Sequence, residues 1–173
     1  DLMLSINWDQ TKDKSNSKGG YRLLPSVLTD AAVPDSVYDS YTSMPTWNDV
    51  ELEGLSFKAN WNVSDSTSVK YVYSSRDGYS KTNIDFDNTP LRIFDVPAIY
   101  DDKQETHELQ LNHIGEDFKL VSGLYYYDGQ SCGLFDAILE DFGNVLGLPG
   151  LTREVSGCSN STSKAAYAQL TYD

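Results

Sequence analysis

Alternation of apolar and polar residues dominates this chain. Between Asp1 and Asp9, the apolar residues Leu2, Ile6 and Trp8 share one side of an extended backbone, and the other side is polar except for Met3. Such period-two patterning is typical of β-strands with one apolar face. It recurs along the chain and predicts six strands, at about Asp1–Asp9, Val50–Val63, Ser68–Tyr79, Gln104–His113, Phe118–Asp128 and Thr162–Tyr172.

Two irregularities modify this pattern. Val50 and Leu52 lie in the opposite phase to Leu55, which predicts a β-bulge near Gly54. Apolar residues between positions 134 and 142 recur at helical spacing and predict one short amphipathic helix. These residues are Leu134, Phe135, Ile138, Leu139 and Phe142.

The connections between the predicted strands alternate in length. Short polar turns at 64–67 and 114–117 follow the second and fourth strands, whereas Ser-, Asp- and Pro-rich stretches at Thr11–Asn48, Lys81–Lys103 and Gly129–Asn160 follow the others. All long connections would therefore emerge at one end of the sheet. Bacterial outer-membrane barrels show this asymmetry, and strands of about 9 to 12 residues suffice to cross a bilayer at a tilt.

Composition narrows the possible functions. Hydrophobic residues make up 39% and aromatic residues 12% of the 173 residues, which is unlike a disordered chain. The net charge of −13 argues against nucleic-acid binding. No apolar run approaches the roughly 20 residues of a membrane helix, and no signal peptide opens the chain. The length allows one domain or part of one.

Aromatic residues gather near the ends of the predicted strands, as at Trp8, Trp61 and Tyr172. Tryptophan and tyrosine favour the membrane–water boundary, although tyrosine-rich strands also occur in soluble proteins. Six strands are too few for a membrane barrel, whose smallest examples have about eight. We therefore expect residues 1–173 to be a partial barrel domain belonging to a longer chain.

Four segments resemble the barrel of TonB-dependent outer-membrane receptors. The hairpin Gly54–Tyr79 is similar to a barrel hairpin of that family, and Glu105–Leu111 resembles the strand that follows it. Leu120–Tyr127 and Lys164–Asp173 resemble two later barrel strands, so the matches cover nearly the whole chain in the family's order. The sequence departs from the family at Phe118, where a tryptophan is usual. It also lacks a plug domain, a TonB box and a C-terminal aromatic signal.

The resemblance implies a fold and a function. It implies an all-β, antiparallel, up-and-down transmembrane β-barrel segment of about six strands, with long extracellular loops and one short loop helix. It implies active uptake of a ferric siderophore or a similar scarce ligand across the bacterial outer membrane. The implied partners are outer-membrane lipid and lipopolysaccharide, the plug of the same chain, the TonB complex and the ligand, with no cofactor and no enzymatic activity.

Cys132 and Cys158 would lie together in the third long loop, outside the cell. Passage through an oxidising periplasm favours a disulfide over two free thiols. In the chain-entropy model this bond would contribute roughly 3–4 kcal/mol. We expect it to brace the loop and its helix.

The other candidate residues carry weaker expectations. His107 and His113 would share a strand face about 20 Å apart, too far to bind one metal, and we interpret them as interface residues. The acidic second loop contains part of a calcium-loop pattern, but a solvated acidic loop is the favoured interpretation. Its members are Asp85, Asp87, Asp95, Asp101 and Asp102. The residues expected to face the barrel lumen are Lys58, Lys70, Arg76 and Glu108.

Two other classes of protein fit parts of the pattern. A soluble, secreted β-sandwich that binds carbohydrate would also show alternating strands with exposed aromatic residues. An outer-membrane barrel enzyme is disfavoured because the sequence has no catalytic triad or dyad pattern. Convergence of Leu2, Phe57, Trp61, Leu109 and Leu170 into a sealed interior would contradict the barrel interpretation.

Overall fold

The computed structural model describes residues 1–16 and 22–172. Residues 17–21 of the predicted first loop and residue 173 lie outside the described residues. The described chain forms six strands and one short helix. Their bounds are β1 Leu2–Asp13, β2 Asn48–Asn62, β3 Thr67–Asp85, β4 Asp95–Ile114, β5 Phe118–Ile138, α1 Glu140–Val145 and β6 Thr152–Tyr172.

The strands form one antiparallel sheet in the order β1-β2-β3-β4-β5-β6, so every strand pairs with its neighbours in sequence. The all-β, up-and-down prediction with about six strands and one short helix is confirmed. The sheet is open: β1 and β6 are its edges and do not pair with each other. Among the described residues, no helix has the length and apolar character needed to cross a membrane.

Toward the short turns, the register places most apolar residues of the six strands on one face. Leu4 lies opposite Ala59, which lies opposite Tyr71, and this row continues through Leu109 and Leu124. We call this the front face and the other the back face. Because side chains alternate along a strand, a slip of one residue in any pair would reverse its faces.

Four of the strands are much longer than their alternation predicted. β3 to β6 contain between 19 and 21 residues each, because segments assigned to loops continue the sheet. The connections at the long-loop end shrink to 14–47, 86–94 and 139–151. The predicted helix is also displaced: Leu134, Phe135 and Ile138 belong to β5, and α1 begins only at Glu140.

The predicted bulge near Gly54 is wrong. Gly54 pairs with Asp9 on one side and Arg76 on the other, and the register continues unchanged through Leu52. The apolar residues instead change faces. Toward the long loops, the back face carries the apolar residues Val50, Leu52, Ile84, Val96, Ala98, Phe135 and Val155.

The described residues form almost no buried hydrophobic core. Its buried hydrophobic side chains are Met44, Val96 and Ala98, joined by Pro34 of the first connection. The accessible surface is 11425 Å², whereas a folded monomer of this mass exposes about 8,500 Å². A large apolar area therefore lacks a covering layer within the described residues.

Candidate functional site

The front face carries a band of apolar side chains that remain exposed. Leu2, Leu109 and Leu170 are 63%, 45% and 65% exposed, so they do not converge into a sealed interior. On β5 the band extends from Phe118 to Tyr126, which is about 27 Å along the strand. At the strand tilt of a membrane barrel this length projects to about 20 Å, close to the apolar band of roughly 25 Å in such barrels.

Aromatic residues and then charges mark the long-loop edge of the band. Tyr73, His107 and Tyr126 form one row across β3, β4 and β5, and Trp8 follows on β1, its Nε1 donating to Glu53 at 2.9 Å. The rows beyond are predominantly acidic on the front face. They contain Lys12, Glu51, Glu53, Asp77, Asp101, Lys103, Glu105 and Asp128.

Both histidines lie on the front face, as expected from their spacing, and they are six residues apart along β4. His107 Nδ1 lies 2.7 Å from the Tyr71 hydroxyl and its Nε2 lies 2.9 Å from Glu105. His113 Nδ1 lies 2.8 Å from the Thr67 hydroxyl. Each imidazole is therefore held by cross-strand polar contacts, and the two do not share a site.

A polar cluster joins the long loops to one another at the long-loop end of the sheet. Asp85 ends β3 and Asp95 begins β4 directly opposite it, and their side chains are 1% and 0% exposed. Ser43 of the first connection donates its backbone N–H to Asp85 at 3.0 Å and its hydroxyl to Asp95 at 2.7 Å. Asn88, which has a positive φ of 56°, donates its N–H to Asp85 at 2.7 Å.

Arg92 extends this cluster to the third connection. Its guanidinium lies 3.4 Å from Asp95 and 3.0 Å from Glu140, and its backbone N–H donates to the Asp141 carboxylate at 2.7 Å. Residues from all three connections thus meet at one place. We call this set the loop hub, and it comprises Ser43, Asp85, Asp87, Asn88, Arg92, Asp95, Glu140 and Asp141.

Burial controls the electrostatics of the loop hub. Desolvation raises the pKa of Asp85 and of Asp95 above the ordinary carboxyl value, while hydrogen bonds from Ser43 oppose the shift. Oxygens of Asp85, Asp87 and Asp95 lie within 4.8 Å of one another. Such oxygens are ligands that hard cations prefer. However, Asp85 and Asp95 already accept hydrogen bonds from Ser43 and Asn88, so a hydrogen-bond network between the loops accounts for the clustering of these carboxylates.

The prediction of a solvated acidic loop is therefore wrong for Asp85 and Asp95. The tight reversal at 86–94 turns both carboxylates inward, where loop amides and hydroxyls replace water. Asp87 is partly buried and accepts from Thr89 and Phe94. Asp101 and Asp102 are exposed, but they belong to β4 and not to a loop.

A disulfide joins Cys132 and Cys158. The two residues are directly opposite each other in β5 and β6, so the bond spans two paired strands and does not lie within a loop as expected. It lies on the front face beside Asp101, beyond the apolar band. The bond therefore fixes the part of the β5–β6 hairpin that extends past the band and carries α1.

The register places Lys58, Lys70, Arg76 and Glu108 together on the back face. That this face lines a lumen stays a prediction. The Arg76 guanidinium lies 3.3 Å from the Asp9 carboxylate, above Gly54 on the strand between them. Glu108 accepts a hydrogen bond of 2.6 Å from the Tyr167 hydroxyl on β6. Lys58 is exposed and Lys70 is half-buried.

Comparison with protein-family models, with curated proteins and with solved structures gave no match. Arguments about function therefore depend on the geometry of the sheet and its loops. Sequence reasoning missed the loop hub, and the signal that could have located it is the Asn88–Pro90 turn, which places Asp85 opposite Asp95.

Proposed function

We propose that this chain forms part of the β-barrel of a TonB-dependent outer-membrane receptor that takes up a siderophore-iron complex or a similar scarce ligand. In this arrangement the front face contacts outer-membrane lipid and the back face lines a water-filled interior. The remaining partners would be the plug, the TonB complex that acts through it, and lipopolysaccharide at the long-loop side.

The observation that carries the proposal is the bounded apolar band on the front face. Its leucines are exposed, an aromatic row limits it toward the long loops, and acidic residues follow that row. Water would make such a surface unfavourable by about 25 cal/mol for each Å² of apolar area. Hydrocarbon removes this cost, and outer-membrane barrels carry the same sequence of apolar band, aromatic girdle and polar surface.

The edges of the sheet support a larger assembly. An open edge in hydrocarbon leaves backbone N–H and C=O groups without partners, each costing several kcal/mol. β6 presents 21 residues along one edge and β1 presents 12 along the other. Further strands pairing with both edges would remove this cost and complete a barrel.

The alternative of a soluble carbohydrate-binding sandwich has less support. A sandwich buries one face of each sheet against a second sheet to form its core. The described residues form one sheet whose front-face leucines are exposed. We therefore favour the membrane receptor over the sandwich.

Brominated lipid tests the placement of the front face. Bromine on acyl chains quenches the fluorescence of tryptophan that touches hydrocarbon. Trp8 and Trp61 lie on the front face, 57% and 54% exposed, whereas Trp47 lies at the long-loop end with Lys81 5.2 Å from its ring. Variants that retain one tryptophan each, with phenylalanine at the other two positions, would be reconstituted in vesicles with and without brominated lipid.

We expect strong quenching of Trp61, weaker quenching of Trp8 because it lies in the row of Glu105 at the edge of the band, and little quenching of Trp47. Equal, weak quenching of all three would contradict the membrane placement. Transport is tested separately, by uptake of a ferric siderophore into cells with and without the gene and with and without an active TonB complex. Uptake that does not depend on the TonB complex would contradict the receptor assignment while leaving the barrel intact.

A further inference from the structure

Three tyrosine rings lie along the back face over glycines of β5. Tyr167 reaches across from β6, so that a Cβ built on Gly123 would lie 2.5 Å from its hydroxyl oxygen. Tyr127 covers Gly129 in the same way, and a Cβ on Gly133 would lie 3.3 Å from the ring of Tyr100. The glycines allow the rings to lie close to the backbone instead of standing away from it. We call these rings the tyrosine track.

The rings remain accessible from the other side. Tyr100 and Tyr167 are 44% and 37% exposed, and Tyr127 is half-buried. Beside Tyr127 the back face contains a hollow of about 340 Å³, within the size range of small-ligand sites. Serine hydroxyls and planar polar groups surround it. They belong to Arg76, Asp102, Gln104, Ser131, Ser159 and Ser161.

The charges near the track indicate the class of ligand. Between Lys119 at one end and Arg153 at the other, the charged side chains on the back face of β4, β5 and β6 are Asp102 and Glu108, both acidic. The guanidinium of Arg76 in the hollow is already paired with Asp9. An anionic ligand lying on the tyrosine track would therefore have acidic side chains beside it.

We propose that the tyrosine track and its hollow bind an uncharged saccharide. This inference rests on the proposed function, which makes the back face the wall of a water-filled interior. The apolar side of a sugar ring stacks on a tyrosine face, while its hydroxyl groups exchange hydrogen bonds with serine, Gln104 and Asp102. Within the proposed function, the saccharide would be the scarce ligand that this face of the receptor binds.

The test uses the purified protein in detergent on a glycan array of neutral gluco-, manno-, galacto- and xylo-oligosaccharides, with sialylated and sulfated glycans as anionic counterparts. We expect binding to at least one neutral series and weaker binding to the anionic glycans. The affinity of the bound glycan is then measured by calorimetry for variants of the track.

Tyr127→Ala should weaken binding about tenfold, equivalent to about 1.4 kcal/mol. Gly129→Ala should also weaken it, because the new Cβ displaces the Tyr127 ring without removing it. Tyr127→Phe keeps the ring and should keep most of the affinity. Gly157→Ala is the matched control for Gly129→Ala, since a Cβ there meets nothing within 4 Å. Tyr79→Ala is the control for Tyr127→Ala, because it removes a tyrosine from the front face. Both controls should leave the affinity unchanged.

Binding to no neutral glycan would overturn the inference, and so would affinities that are unchanged in both Tyr127→Ala and Gly129→Ala. Tryptophan quenching by brominated lipid separates this failure from failure of the proposed function. Quenching of Trp8 and Trp61 without glycan binding refutes the saccharide site alone. Glycan binding without quenching refutes the membrane receptor and favours the soluble module.

Discussion

A charge placed in the middle of the front-face band should destabilise the protein in lipid. Leu111 lies on strand β4 between Val69 and Ser122, at the middle of the band and four residues from His107 of the aromatic row. An arginine near the midplane of an outer-membrane barrel costs about 2–4 kcal/mol. We therefore expect Leu111→Arg to reduce the folding equilibrium constant by roughly 30- to 1,000-fold.

The assay measures reversible unfolding of the protein in lipid vesicles by titration with guanidinium. Asn112→Arg is the matched control, because it places arginine on the back face of the same strand beside the uncharged Ser68 and Val121. It should change the free energy of unfolding by less than about 0.5 kcal/mol. Glu105→Arg, beyond the aromatic row, should cost about 0–1 kcal/mol. Equal effects at Leu111 and Asn112, or folding without any lipid or detergent, would refute the reasoning.

Three further predictions concern the long-loop end of the sheet. Replacing Cys132 and Cys158 by serine should lower the free energy of unfolding by about 3 kcal/mol, measured by guanidinium titration under oxidising conditions, and an unchanged midpoint would contradict this. Burial raises the pKa of the buried hub carboxylates, so the folded state binds protons more tightly than the unfolded state. Lowering the pH from neutral should then increase the hydrogen-exchange protection of the Ser43 amide, and protection that falls would show the opposite sign. Ser43→Ala removes a donor from the buried Asp95 and should cost about 1–3 kcal/mol, whereas Ser5→Ala on the exposed β1 should have little effect.

The sequence was sufficient to locate the strands but not their ends. Within the apolar band the alternation is regular, as at Phe57, Ala59 and Trp61, and it identifies strand and face together. Beyond the band, serine- and glycine-rich segments such as 156–161 have a composition typical of loops. They are strands because β5 supplies a continuous hydrogen-bonding partner, and such long-range pairing overrides local propensity.

The same reason explains why the helix was misplaced. Leu134 and Phe135 fit a helical spacing, but they lie opposite Ile99 and Ala98 in the extended sheet, so pairing decides their conformation.

The candidate site was less accessible to sequence reasoning than the fold. The pairing of Cys132 with Cys158 follows from the number of cysteines and the oxidising compartment that the resemblance implies, whereas its position between two strands depends on where β5 and β6 end. The acidic residues near Asp85 resemble a solvated loop in composition. Their burial depends on Ser43, which is 42 residues away from Asp85 in the chain and donates to it across the fold.

The apolar residues of β2 change from the front face at Leu55 to the back face at Leu52. This change limits how the sheet could adapt to bilayers of different thickness. In a bilayer, moving the sheet by two residues, about 7 Å along a strand, toward its short turns would immerse Glu53 and Glu105 in acyl chains. The opposite shift would lift leucines into the headgroups. If the sheet lies in a membrane as proposed, vertical sliding would therefore be unfavourable in both directions, and the surrounding lipids would have to stretch or compress to match the protein.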